Sequence, residues 1–160
     1  MPTQTWQEIV ASSLDWEQAH LTLDHALKGL TVAGRAARPE GYPHSVWQLL
    51  DHIRVAQHDL LDFCVNANYS HDLNWPDDYW SSDPAPTDDA AWSACLQQIN
   101  QDRAQLTRFT TGGSVDLTQA IPHGTGQTYL RTVLVAVDHA AYHLGQIVDV
   151  RRLNKDWPPA

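Results

Sequence analysis

Apolar positions recur along this chain at mixed three- and four-residue steps, the period of amphipathic helices, and no segment alternates convincingly in the manner of a strand. The first such run places Trp6, Ile9, Val10, Leu14 and Leu21 on one face and predicts a helix over roughly 6–30, with Gly29 and Gly34 as its stop signals. A second begins at Ser45 and Gln48, which have the S-x-x-Q spacing of a capping box. It continues through Leu49, Leu50, Ile53, Leu60 and Leu61 to about Val65. The stretch 66–86 is rich in Asn, Asp, Ser and Pro, with Trp75, Tyr79 and Trp80 set among them, so a long loop without continuous regular structure is expected, either functional or wrapped over a surface. Thr87 is placed to cap a third helix, with Asp88 and Asp89 in its first turn. Trp92, Leu96, Ile99, Leu106 and Phe109 form the buried side of that helix up to Gly112-Gly113. After the turn formers of Ile121-Pro-His-Gly-Thr-Gly comes a last helix over about 128–153, near 39 Å long at 1.5 Å per residue. Four helices in a chain of 160 residues predict an all-α four-helix bundle forming one domain over 1–160.

The last helix carries the informative pattern. Leu130, Leu134, Val137, Ala141, Leu144 and Val148 form one apolar stripe, which is ordinary packing, while Thr132, Ala136, His139, His143 and Val150 line up on a side roughly opposite. Arg131, Asp138, Tyr142 and Asp149 occupy a narrow flank facing water, so His139 and His143 point into protein. Two buried imidazoles one turn apart must satisfy their nitrogens, either separately by hydrogen bonds or together on one ion. His52 lies at the margin of the apolar face of the second helix, on the flank of Leu49, Ala56 and Phe63, where it can meet the pair. His58 falls on the opposite flank and reads as surface or packing. His20, with Asp24 as an available neighbour, and His25 are weaker candidates, and His44 and His71 read as solvated. His123, between Pro122 and Gly124, is a candidate contact to substrate or to a ligand histidine. Tyr142 and Trp80 are further pocket candidates, while Trp47 reads as packing.

Composition narrows the functions open to such a site. Nine histidines accompany a net charge of −9, which repels a phosphate backbone and disfavours nucleic acid. The longest apolar run, 133–137, is far short of a membrane span, and the N-terminal residues carry no secretory signal, so a cytoplasmic protein is expected. Cys64 and Cys95 lack metal-ligand spacing and read as free thiols in a reducing compartment, though a meeting in space stays open.

Leu50-Asp51-His52 on one helix, Asp138-His139-Ala-Ala-Tyr-His143-Leu-Gly-Gln on the last, Trp47, and the Ile121-Pro-His-Gly-Thr-Gly-Gln-Thr lead together resemble the DinB-like metalloprotein family over most of the chain. The resemblance implies a four-helix up-down-down-up bundle and a site for a divalent metal, zinc or nickel, with His52, His139 and His143 as ligands. It also implies a homodimer. Three imidazoles leave a coordination position for water or substrate. Ala140 stands after His139 where zincin proteases place glutamate, which argues against that peptidase chemistry. Asp51 and Asp138 adjoin ligand histidines but point about 100° away from them and read as solvated. The expected activity is that of a metal-dependent enzyme activating a low-molecular-weight thiol, or water, toward a small-molecule substrate; the alternative is a metal- or ligand-binding bundle without turnover.

Overall fold

The computed structural model describes residues 4–15 and 20–157, and among them the chain is all-α. The elements are α1 (Trp6–Ser12), α2 (Leu23–Leu27), α3 (Val32–Ala36), α4 (Val46–Val65), α5 (Asp89–Thr111) and α6 (Tyr129–Leu153), with a 3-10 turn at Asp77–Tyr79. The long helix α4 packs against both α5 and α6, and α1 packs against α5. No helix among the described residues is long and apolar enough to cross a membrane.

The first predicted helix is not continuous. Ser12 and Ser13 turn their hydroxyls back onto the carbonyls of Ile9 and Val10, and α1 stops there. Thr22 and Thr31 then each accept an amide three residues ahead, which starts α2 and α3 as separate short helices. Gly29, at φ 71°, ends one turn as expected, but Gly34 sits buried inside α3. A Cβ on Gly34 would come within 2.9 Å of Asp156 Oδ2, so that glycine permits a close approach of the C-terminal segment to α3.

The predicted starts of the long helices hold closely. Ser45 and Gln48 form the reciprocal capping box of α4, Thr128 caps α6, and α5 takes Asp88 rather than Thr87 as its cap. A carboxylate one residue later serves the same orphan amides and adds its charge to the positive end of the helix dipole. The core between these helices is built from Leu49, Leu50, Ile53, Trp92, Ile99, Leu144 and Ile147. A smaller cluster of Leu61, Leu106, Val133 and Ala136 lies beside it.

On α6 the expected leucine stripe is only half buried. Leu144 and Val148 pack in the cluster that holds Leu23 and Ala26 of α2, whereas Leu134 is 45% exposed and shares the outer face with Arg131, Asp138 and Tyr142. Thr132, Ala136, His143 and Val150 of the opposite face are all buried.

Residues 66–86 form a strap laid antiparallel along α4, as the polar composition suggested for a surface-wrapping loop. Ser45 Oγ donates to the Pro84 carbonyl (2.6 Å), Gln48 Nε2 to the Ser81 carbonyl (2.9 Å), and His52 Nδ1 to the Tyr79 carbonyl (2.9 Å). Ser45, Gln48, His52 and Asp59 fall within about 60° of one another around the helix, so one polar stripe of α4 accounts for the whole course of the strap.

Candidate metal centre

His52 arrives from α4, and His139 and His143 from successive turns of α6. Their ring centroids lie 4.4–4.7 Å apart. One ligand nitrogen from each can be chosen so that all three lie within 4.8 Å of one another, and the Nε2 atoms of His52 and His139 are 2.9 Å apart. His52 is 2% exposed and His143 6%.

The outward nitrogens decide what the inward ones can do. A carbonyl only accepts, so His52 Nδ1 carries a proton toward Tyr79 and its Nε2 keeps a lone pair. His143 Nδ1 likewise donates to Gln146 Oε1 (2.7 Å), one turn on along the same helix, leaving its Nε2 an acceptor. Burial depresses the pKa of His52 to about 4 and that of His139 to about 3, so both rings are neutral near pH 7. The charge that His143 would carry adds to the depression in each. Three neutral imidazoles bring three protons, two of which point away from the centre. The one left, on His139, can serve His52 Nε2 or His143 Nε2 but not both, so the centre holds more lone pairs than donors.

A cation answers that imbalance, and the donor set fits one. Nitrogens about 2.0–2.1 Å from a tetrahedral zinc stand about 3.3 Å from one another. The observed spread, 2.9 Å for one pair and within 4.8 Å for the set, brackets that value. The bonds from His52 and His143 to Tyr79 and Gln146 are the kind that orient metal-ligating imidazoles.

Aromatic rings wall the centre. Trp80 stacks on His52 at 3.8 Å with planes 5° apart, and His44 stacks on Trp80 at 3.9 Å and 9°. Trp80 also presents an edge-on contact to His143 at 5.7 Å, and Tyr142, 64% exposed, meets His143 at 4.9 Å. His44 is thus half-buried at the centre rather than solvated, and burial lowers its pKa. No pattern around Tyr42-Pro-His announces this, because the contact depends on Trp80 returning along the strap. Gln146, three residues after His143, did have a readable spacing.

Of the three pocket candidates, Trp80 and Tyr142 are at the centre and His123 is not. The turn closed by Gly124 N–H on the Ile121 carbonyl places His123 at the far end of α4, where its Nε2 donates to the Phe63 carbonyl (2.9 Å). Phe63 is eleven residues past His52, about 16 Å along the helix. His71 is exposed, as expected, near Tyr79. His58 bonds the buried carboxylate of Asp102 (3.1 Å), and His20 bonds the Leu21 carbonyl (2.8 Å) rather than Asp24. Asp51 is held by Arg54 (2.8 Å) and Asp138 is exposed. Cys64 and Cys95 are free and buried, and burial pushes both thiols up to about 12. Trp47 packs against Trp92.

No curated protein and no solved structure matches the chain. A family model does, that of the DinB superfamily, over residues 15–147, a span that contains the three histidines, their oxygen partners and Trp80. With most of its length matched by that model, the chain belongs to the DinB superfamily.

Proposed function

We propose that the chain holds one divalent metal ion, zinc or nickel, on His52, His139 and His143 and uses it to activate a low-molecular-weight thiol, or water, toward a small-molecule substrate. The observation that carries this reading is the donor count: of the three imidazoles, the two buried ones, His52 and His143, spend their protons outward, on Tyr79 and Gln146, and direct lone pairs inward. When bound, a divalent ion would supply a Lewis acid that lowers the pKa of a coordinated thiol or water.

The surrounding residues favour the thiol over water. Asp51 is engaged by Arg54 and Asp138 points to solvent, so neither stands at the centre as a general base, and a metal-activated thiol needs one least. With Cys64 and Cys95 buried and protonated, that thiol comes from a cosubstrate. Trp80, His44 and Tyr142 pack around the centre and would contact what binds there. The proposal includes a homodimer, for which the outer face of α6 with Leu134 and Tyr142 offers surface. A light-scattering mass of one chain would remove that part.

The test is metal content followed by turnover. Untagged protein should carry or take up about one Zn²⁺ or Ni²⁺ per chain, and the loaded chain should consume a small thiol in the presence of an electrophile, at a rate that scales with metal occupancy. Full occupancy without turnover across thiols and esters would make it a binding protein. Refusal of both metals would sink the reading entirely.

A further inference from the structure

Asp59 stands two helical turns beyond His52 on the same stripe of α4 and touches none of the three histidines. Its carboxylate accepts two phenol hydrogens, from Tyr79 (2.6 Å) and Tyr69 (2.7 Å), at the short lengths of charge-assisted O–H···O⁻ bonds. Burial, reinforced by the bond to Asp59, holds both phenols above the usual tyrosine range, so they remain donors. Tyr79, 5% exposed, is gripped at both ends: its hydroxyl by Asp59 and its carbonyl by His52 Nδ1. The next residue is Trp80, whose indole lies flat on the His52 ring.

Elsewhere the strap is tied to α4 through the carbonyls of Ser81 and Pro84 and through the Tyr69 hydroxyl on Asp59. Tyr79 is where side chain and main chain of one residue are both fastened to the same helix face, which sets the direction of its C=O. That direction selects the His52 tautomer, because a carbonyl aimed at Nδ1 demands a proton there and frees Nε2.

We infer that Asp59 is a positioning residue of the histidine centre, acting through the Tyr79 hydroxyl to aim the Tyr79 carbonyl at His52 and so keep His52 Nε2 available as a metal ligand. The inference rests on the metal-binding reading, and it extends the site along α4 to a carboxylate about 10 Å from His52.

Zn²⁺ affinity, measured by competition with a chromophoric chelator, should fall 10- to 100-fold in Asp59→Ala and Tyr79→Phe. It should stay within about threefold of wild type in Tyr69→Phe, since Tyr69 shares the carboxylate but has no bond to His52. Asp59→Asn, which keeps one acceptor and gains one donor for the two phenols, should recover most of the loss. The visible spectrum of the Co²⁺-loaded protein should shift in the first two variants alone. In metal-free protein, ¹⁵N imidazole spectra should show His52 as a single Nδ1–H tautomer in wild type and as a mixture in Asp59→Ala. Tyr79→Phe keeps the ring and serves where Asp59→Ala does not fold. Wild-type affinity and an unmixed tautomer in both variants would overturn the role of Asp59 while leaving the metal reading intact. A wild-type chain that binds no metal would end that reading, and the His52 tautomer would still decide whether Asp59 sets it.

Discussion

The histidine centre and Arg151 are both buried polar assemblies on α6, two turns apart, and they differ in how their hydrogen-bonding capacity is met. Arg151, 1% exposed, spends its donors on oxygens of the chain. Nη1 reaches the carbonyls of Ala26 (2.6 Å) and Lys28 (2.9 Å), and Nε and Nη2 reach the side chain and main chain of Asp156 (2.8 and 2.9 Å). Trp157 lies under its guanidinium at 5.0 Å. Every nitrogen of the guanidinium thus has an oxygen partner, and the knot clamps the end of α6 to the end of α2. The histidines instead hold lone pairs in excess of protons. Burial of polar groups is therefore no sign of function in itself; the mismatch of donors and acceptors is.

Breaking the unsatisfied assembly should give the largest effect. His139→Ala with His143→Ala removes two of three nitrogens and should weaken Zn²⁺ binding by at least about a thousandfold, roughly 4 kcal/mol. The metal-free variant should still fold, as circular dichroism and a cooperative melt would show. The wild-type melt should rise on adding Zn²⁺ by linkage, and that of the double variant should not. Retention of metal by the double variant would place the ion elsewhere.

Breaking the satisfied assembly should do the reverse. Arg151→Met strands the buried Ala26 carbonyl, takes a donor from the Lys28 carbonyl and removes the cation from Asp156, a loss of about 2–4 kcal/mol in urea unfolding. Zn²⁺ affinity should remain within about threefold of wild type. A comparable loss of affinity in Arg151→Met would mean that the two assemblies are coupled through α6.

The two regions were unequally legible for a physical reason. His52, His139 and His143 could be paired from helical periodicity, because a position 100° around a helix predicts which way a side chain points. Arg151 carries no sign of its burial in the sequence, since its partners Ala26 and Lys28 are main-chain carbonyls more than 120 residues away, and a carbonyl leaves no trace in residue type. The Tyr79 carbonyl at His52 escaped for the same reason, and His44 because its contact passes through Trp80. The break-up of the first helix is written in Thr22 and Thr31, whose capping side chains prevail over the helical apolar spacing that runs through Leu21.

Acid sharpens the comparison with the smallest effect. His52 and His139 are depressed to about 4 and about 3 from an ordinary value near 6.5, so the folded chain keeps them neutral while the unfolded chain takes up protons. Their contribution to stability is complete above about pH 7 and drains away as pH falls through 6.5 toward those folded values. His44 and His143, lowered mainly by burial, add in the same direction. From pH 7 to pH 6 the two strongly shifted rings cost the metal-free chain about 1 kcal/mol. His139→Leu should flatten that slope by about half. Arg151→Met should lower stability at every pH and leave the slope as it was, because a guanidinium does not titrate in this range. Urea unfolding of metal-free protein at pH 7.5, 6.5 and 5.5 separates the cases. A slope unchanged by His139→Leu would show that the ring is protonated within the folded chain, and the donor count at the centre would then change by one.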